Sequence, residues 1–370
     1  MDAITSIEIY RVHMPLSYPF RTAIGDNDAI ESVLVRLATR GCYGWGEAAP
    51  WSLPSYSPEY AAGVFMVIRD VLAPALLGQV VESGKDMQDR LAWVKGNPFA
   101  KAALDLACWD LHARSQNMPL WRLLGGNRNV VDVGADFGIM ESIDRLIETV
   151  GAALQAGYAR VKLKYRPGWE LEMVDAVRRA FPEATIHVDC NSAYTLEDLP
   201  MFEALDNYNL AMIEQPLMHD DLIDHAELQR HLQTPICLDE SITSPNKARK
   251  AIQIGACRWI NIKPGRVGGL TLALDIHNLC QEAGIPCWIG GMLESALGSA
   301  HCIALATLPN IRYPSDIFPS DRFYKVDIST PPITLCGPSQ VSVPAGPGVG
   351  AEPDPILLPR FTIERAMLKE

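Results

Sequence analysis

Two rhythms divide this chain. Up to about residue 50, apolar and polar positions alternate, as in Ser6-Ile7-Glu8-Ile9-Tyr10 and Ser32-Val33-Leu34-Val35-Arg36-Leu37. That period predicts half-buried strands. Pro15 to Asp28, rich in turn formers, reads as a loop between them. Ala48 to Ser57 reads as a second, with Pro50, Pro54 and the aromatics Trp51 and Tyr56. Residues 58–125 read as helices. Phe99 to Arg114 is apolar at helical spacing and stops before Asn117-Met118-Pro119, and Gly125-Gly126 closes the segment.

After about residue 130 short apolar runs alternate with helical stretches, which predicts parallel strands joined by crossover helices. The runs are Val161–Lys164, Ile186–Asp189, Met212–Glu214, Ile236–Asp239, Trp259–Lys263 and Cys287–Gly290. Helix-like segments precede them, such as Leu171 to Phe181 and Pro245 to Gly255. Five runs end on an ionisable residue: Lys164, Asp189, Glu214, Asp239 and Lys263, separated by 25, 25, 25 and 24 residues. One strand, one helix and two short loops need about that length. The pattern therefore predicts an α/β fold, a (β/α)-barrel with one ionisable side chain from each of five successive strands at the C-terminal rim, where barrel active sites lie.

The 370 residues exceed one ordinary core and imply a barrel plus a second module. With 48% apolar and 21% charged residues, the chain can bury a large core. A net charge of −12 disfavours nucleic acid and anionic membrane as partners, yet does not exclude a small anionic substrate beside a metal. Nine cysteines without a C-x-x-C pair, most in apolar runs (Cys108, Cys237, Cys257, Cys280), predict reduced buried thiols in a cytoplasmic protein. No basic start followed by an apolar run opens the chain, and no stretch of 18 apolar residues occurs, so neither a signal peptide nor a membrane span is expected.

Three carboxylates converging from neighbouring strands repel one another unless a cation lies between them. Hard oxygen ligands favour Mg²⁺, with Mn²⁺ as the alternative ion. The competing reading of Asp189, Glu214 and Asp239 is that each caps the helix that follows. Lys162 and Lys164, two apart in a strand, point to one face and need anionic partners inside a barrel. Lys164 and Lys263 fall on opposite sides with the carboxylates between them, bracketing a metal-bound substrate with a base on each face. The competing reading is structural salt bridging. A metal ion on the substrate carboxylate stabilises the enediolate formed when the α-proton leaves, and crowding by cations is expected to lower a lysine pKa toward neutrality. Arg266, three residues after Lys263, either supplies such a cation or pairs with a helix carboxylate. No histidine ends a strand-like run, and His187 reads as a core residue.

At these residues the chain resembles the enolase superfamily in its muconate-lactonising branch. The resemblance spans essentially the whole sequence through VKLKYRPGWE, VDCNSAYT, MIEQPL, CLDES, NIKPGRVGG, GGMLES and KAALDLACWDLHAR. Within the branch it is most similar to o-succinylbenzoate synthases that also racemise N-acylamino acids. The resemblance implies a modified (β/α)8 barrel over residues 126–324, under an α+β capping domain of residues 1–125 completed by the tail 325–370. It implies Asp189, Glu214 and Asp239 as Mg²⁺ ligands, Lys164 and Lys263 as acid and base, and Lys162 as a stabiliser of the enolate. Loops 15–28 and 48–57 would close over the barrel mouth. Substrate contacts are expected from Phe20, Tyr56, Asp136, Asn191, Gly291 and Met292, supported by Arg266 and Glu240. A homo-oligomer, dimer to octamer, is implied. Two positions depart from the family pattern. Gly134-Ala135-Asp136 stands where Gly-Val-Ser is common, and an inward Asp136 disfavours a succinyl carboxylate. Phe318 stands where a small polar residue is common. Dipeptide epimerase and muconate cycloisomerase are alternatives within the superfamily; a Schiff-base aldolase or a non-enzymatic scaffold are alternatives outside it.

Overall fold

The computed structural model describes residues 2–22 and 25–370. The alternating N-terminal segments form an antiparallel sheet in the order Thr362–Lys369, Ser6–Thr22, Gly25–Ala38 and Tyr43–Ala48. The C-terminal strand thus pairs with the first one, Ile9 opposite Ala366. Helix Pro98–Ser115 crosses the sheet at close range. A Cβ on Gly44 or Gly46 would lie 2.2 Å from Ala107 O or Ala103 O, so only glycine lets these backbones meet.

The segment read as a loop, Pro15 to Asp28, is instead the outer part of a hairpin. Its arms stay paired, with Phe20 opposite Asn27, Arg21 opposite Asp26 and Thr22 opposite Gly25, after a register shift between Pro15 and Phe20. Cross-strand hydrogen bonds override turn-forming composition here, and Pro15 and Pro19, which lack an N–H, fall at the irregular stretch. Residues 23 and 24 of that expected loop lie outside the described residues.

The second rhythm builds seven parallel strands in chain order: Ala135–Phe137, Val161–Lys164, Ile186–Asp189, Ile213–Glu214, Ile236–Leu238, Trp259–Ile262 and Cys287–Ile289. Residues 311–316 close the ring as an eighth, irregular strand. Ile311 bridges Cys287, Ser315 bridges Val133, and the Asp316 N–H donates to Ile289 O at 2.8 Å. The result is a closed (β/α) barrel. Its lower interior is filled by Met212, Cys237 and Trp288, with Trp259 and Tyr313 against them. The tail does not serve the capping sheet alone, because Leu335–Gly337 pairs with Gln340–Ser342, which in turn pairs with Val130–Asp132 beside the barrel.

Two buried carboxylates lock the cap onto the barrel. Glu47 accepts from Ser295 N (3.1 Å), Ser295 Oγ (2.5 Å) and Gly298 N (3.0 Å), holding the N-terminus of helix Ala296–Ala306. Asp105 accepts from Thr271 N (3.1 Å) and Oγ1 (2.6 Å) at the start of helix Leu270–Ala283. Among the described residues no helix is long and apolar enough to cross a membrane.

Candidate active site

Register decides which inward side chains share a level. Asp136 pairs with Lys162 and Lys162 with His187, while Lys164 pairs with Asp189, Asp189 with Glu214 and Glu214 with Cys237. Barrel strands tilt, so a level climbs by about two residues for every second strand. By that count Asp136, Asp189, Asp239 and Gly290, from alternate strands, share one layer. Lys162, Glu214 and Asn261 form the layer below it, and Lys164 and Lys263 the layer above.

The three carboxylates are not helix caps. The helical turns that follow them are capped by Thr195, Asp221 and Ser244, whose side chains accept from the helix backbone. Asp189, Glu214 and Asp239 are free to face inward, and all three are buried. Lys162 Nζ lies 3.0 Å from Asp189 Oδ2, 2.8 Å from Glu214 Oε2 and 3.1 Å from Asp316 Oδ2. Lys164 Nζ donates to Asp189 Oδ2 at 2.7 Å, and Lys263 Nζ to Asp239 Oδ2 at 2.8 Å. Arg266 pairs with Asp239 and also donates to Tyr56 OH at 3.0 Å and Asn261 O at 2.7 Å. The carboxylate that Arg266 meets is the strand-end Asp239 rather than one on a helix, and the neighbouring charge of the guanidinium also acts to lower the Lys263 pKa.

These pairs reverse one expectation. Burial by itself would lower the pKa of Lys164 and Lys263, but the adjoining Asp189 and Asp239 outweigh it and hold both ammonium groups above their ordinary value. Burial likewise opposes ionisation of Asp189 and Asp239, and is outweighed by Lys162 and Lys164 at the first, and by Arg266 and Lys263 at the second, so both carboxyls sit low. The lysines are thus salt-bridged acids, and their partner carboxylates decide whether either becomes a base.

The expected substrate contacts divide. Tyr56 lies at the rim beside Lys263, its hydroxyl 3.2 Å from Nζ, and Phe20 covers Lys164 with its ring 5.8 Å from that Nζ. Asn191 takes a left-handed backbone (φ 44°) that returns its N–H to Asp189 Oδ1 at 3.1 Å, while its side chain donates to Glu240 Oε1 at 3.1 Å. Burial, then Asp239 and Asp189, push Glu240 up to about 8. Gly291 has no room for a side chain, since a Cβ would lie 2.6 Å from Asp316 O. Met292 is buried and its backbone is engaged, N–H to Glu294 at 2.8 Å and carbonyl to Trp51 Nε1 at 3.0 Å. Asp136 is buried on the first barrel strand. Phe318 packs edge-on to Phe323, ring centroids 5.1 Å apart.

Sequence reasoning missed the charged floor. Arg160, fully buried, donates to Asp316 Oδ1 at 2.7 Å, and Asn261 donates to Glu214 Oε1 at 2.8 Å. His187 Nε2 lies 3.3 Å from Glu214 Oε2; burial depresses its pKa to about 4, leaving a neutral ring. Arg160, His187 and Asn261 each stand two residues before a predicted site residue, so the period-two rule was the available signal.

The donor set suits a small hard cation. Besides the three carboxylates, Asn191 Oδ1 and Glu240 Oε2 are buried oxygens with no hydrogen-bond donor. Ammonium groups hold the carboxylates as they stand, and among the described residues no three acidic, histidine or cysteine side chains draw together as an ion would draw them.

Family comparison completes the picture. Residues 145–357 match the model described as Enolase C-terminal domain-like, and residues 4–125 match the Mandelate racemase / muconate lactonizing enzyme, N-terminal domain. The chain belongs to the enolase superfamily. Enzymes of that superfamily generally depend on Mg²⁺. An N-succinylamino acid racemase from Amycolatopsis sp is 45% identical over 366 residues, 99% of each chain. An o-succinylbenzoate synthase from Geobacillus kaustophilus is 42% identical over 97% of this chain and 96% of its own. The crystal structure of an enolase-superfamily member from Listeria innocua superposes with a TM-score of 0.96 at 36% identity, covering both chains fully. The protein is an enzyme of this superfamily, and its relatives are lyases and isomerases.

Proposed function

We propose that the enzyme removes a proton α to a carboxylate with Mg²⁺ as its cofactor, Mn²⁺ taking the same donors, and acts as an o-succinylbenzoate synthase and/or N-acylamino acid racemase. The observation that carries this reading is the pair of lysines on the second and sixth strands of an eight-membered ring, each tied within 2.8 Å to its own carboxylate. A cation held by Asp189, Glu214 and Asp239 would supply the positive charge that stabilises an enediolate, and would take over the carboxylate charge that now keeps both lysines protonated. Lys164 and Lys263 then stand on opposite faces of the α-carbon to remove or return its proton. Lys162 adds positive charge beside the enolate oxygens. Tyr56 and Phe20 shield the two lysines from water.

A Schiff-base aldolase has less support, because a lysine held as an ammonium ion is a poor nucleophile and the carboxylates have no task in it. The proposal extends to a small carboxylate substrate, a cytoplasmic setting and a homo-oligomer between dimer and octamer. Incubation with Mg²⁺ and a panel of N-acylamino acids in D₂O, followed by NMR, should show loss of the α-proton signal. No exchange from any member, and no dehydration of a hydroxylated cyclohexadiene carboxylate, would refute it.

A further inference from the structure

We infer that Glu59 is a positioning residue for Lys263: its carboxylate ties the loop that carries Tyr56 to the helix that supports the Lys263 turn. This rests on the reading above, in which Lys263 works on one face of the α-carbon.

Helix Pro98–Ser115 does not cap itself. The helices that start at Gly84, Ile143, Pro245 and Ala296 take a side-chain cap from the residue just before them, Ser83, Ser142, Ser244 and Ser295. Asn97 stands in that place here, with a left-handed backbone (φ 55°) and no side-chain cap. A helix start leaves its first amides without partners inside the helix. Pro98 has no N–H, and Lys101 N donates to Asn97 O at 3.1 Å. The two that remain, Phe99 N and Ala100 N, donate to Glu59 Oε2 at 2.9 Å and Oε1 at 3.1 Å. A serine at position 97 would serve the helix as well. What a carboxylate 40 residues upstream of Phe99 adds is the tie between helix and loop.

Each end of that tie holds part of the Lys263 surroundings. Tyr56 precedes Glu59 in a loop whose neck is closed by Ala61 N donating to Trp51 O at 2.8 Å, and whose first arm is pinned by Trp51 Nε1 on Met292 O at 3.0 Å. Ser57 Oγ accepts from Glu59 N at 3.1 Å and stiffens the step between Tyr56 and Glu59. The Tyr56 hydroxyl lies 3.2 Å from Lys263 Nζ and 3.0 Å from Arg266 Nη1. At the other end the ring of Phe99 rests on Gly265, where a Cβ would come within 2.9 Å of Phe99 Cε1. Gly265 lies between Lys263 and Arg266 in the chain. Phe99 thus holds the loop through its amide and seats the lysine's turn through its ring. Lys164 is covered from a different segment, by Phe20 of the hairpin. Loosening Glu59 therefore acts on one lysine and spares the other.

The test is Glu59→Ala in the presence of Mg²⁺, with metal content confirmed. One measurement is α-proton exchange of each pure enantiomer of an N-acylamino acid, by NMR in D₂O. The other is pulse acetylation of Lys263 and Lys164 by acetic anhydride, read by mass spectrometry, which needs no substrate. Exchange in the enantiomer facing Lys263 should fall about tenfold or more relative to the other, because a loosened loop lets the amine drift from its line to the α-carbon. Acetylation of Lys263 should rise several-fold while that of Lys164 holds. Glu59→Gln keeps one acceptor oxygen and should fall between on both measures, which covers the event that the alanine variant does not fold. A cap with only a structural role changes both lysines alike. Labelling changed alike, or unchanged in both variants, overturns the inference, as does slowing of both enantiomers by the same factor. Labelling selective for Lys263, with no exchange of any substrate even by the wild type, would uphold this inference and refute the proposed reaction.

Discussion

The guanidinium of Arg160 and the carboxylate of Asp316 meet at 2.7 Å on the barrel floor, and the second oxygen of Asp316 lies 3.1 Å from Lys162. Arg160 lies against both Trp288 and Tyr313, its guanidinium 5.5 and 5.6 Å from their rings. The Lys162 ammonium therefore owes its place partly to a residue that never reaches the substrate. Asp316→Asn leaves Arg160 buried without a counter-charge, a change that costs about 3–5 kcal/mol. It should also lower kcat, because Lys162 loses one of three acceptors. Urea unfolding and steady-state kinetics check both, and a stability loss below about 1 kcal/mol would show that the pair is not isolated from water.

Activity should require a divalent metal. Chelation should remove turnover and added Mg²⁺ should restore it. Asp239→Asn should lower kcat by at least about a thousandfold, because it weakens a metal ligand and the partner of both Lys263 and Arg266. Full turnover after exhaustive dialysis against chelator would remove the enediolate from consideration.

Stability should fall as pH rises through the range set by Glu47. Burial pushes its folded pKa from 4.5 up to about 7. The native state then binds more protons than the unfolded state between those values, so the stabilising contribution is complete below 4.5 and lost above 7, in total about 3 kcal/mol. Thermal unfolding across that range should show a declining Tm. Glu47→Gln should flatten the decline, and an unchanged slope would assign it to other groups.

The fold was legible because the barrel repeats. Four of the five rim residues recur at 25-residue intervals and the fifth after 24, and nothing but a strand-helix repeat keeps such a period over that length. Where the chain broke its own pattern, reading failed. The eighth strand, Ile311-Arg312-Tyr313-Pro314-Ser315-Asp316, has no apolar run and is held by isolated bridges, so nothing in the sequence pattern singles out Asp316. Pro15 to Asp28 read as a loop because the partner arm that makes it a strand is set by pairing and leaves no local mark. The lysine pKa shifts were read with the opposite sign, since the balance between burial and ion pairing depends on how closely each ammonium meets its own carboxylate.

Substrates with neutral acyl groups should outperform N-succinyl ones. Asp136 presents a buried oxygen without a donor, and a second carboxylate beside it is disfavoured by like charge. The ratio of kcat/KM for N-acetyl over N-succinyl derivatives of one amino acid should exceed one, and Asp136→Ser should lower it. A clear succinyl preference in the wild type would mean that a cation reaches the succinyl terminus from elsewhere.

The two lysines should serve opposite enantiomers. Lys164 lies on the second strand and Lys263 on the sixth, half the ring apart, and each is anchored to a different carboxylate. Racemisation needs one group to take the α-proton and another to return it on the other face, so neither lysine can do both without crossing the substrate. Lys263→Ala should abolish racemisation yet leave deuterium exchange in the enantiomer whose α-proton faces Lys164. Lys164→Ala should show the reverse, with exchange in that variant weakened further because Asp189 then keeps Lys162 as its only ammonium partner. Dehydration differs, since proton removal and loss of hydroxide from one face need a single lysine acting as base and then as acid. The measurement is exchange in D₂O of each pure enantiomer by each variant, with metal content confirmed. Comparable exchange of both enantiomers by either variant would mean that one lysine reaches both faces, and the opposed arrangement would lose its catalytic meaning.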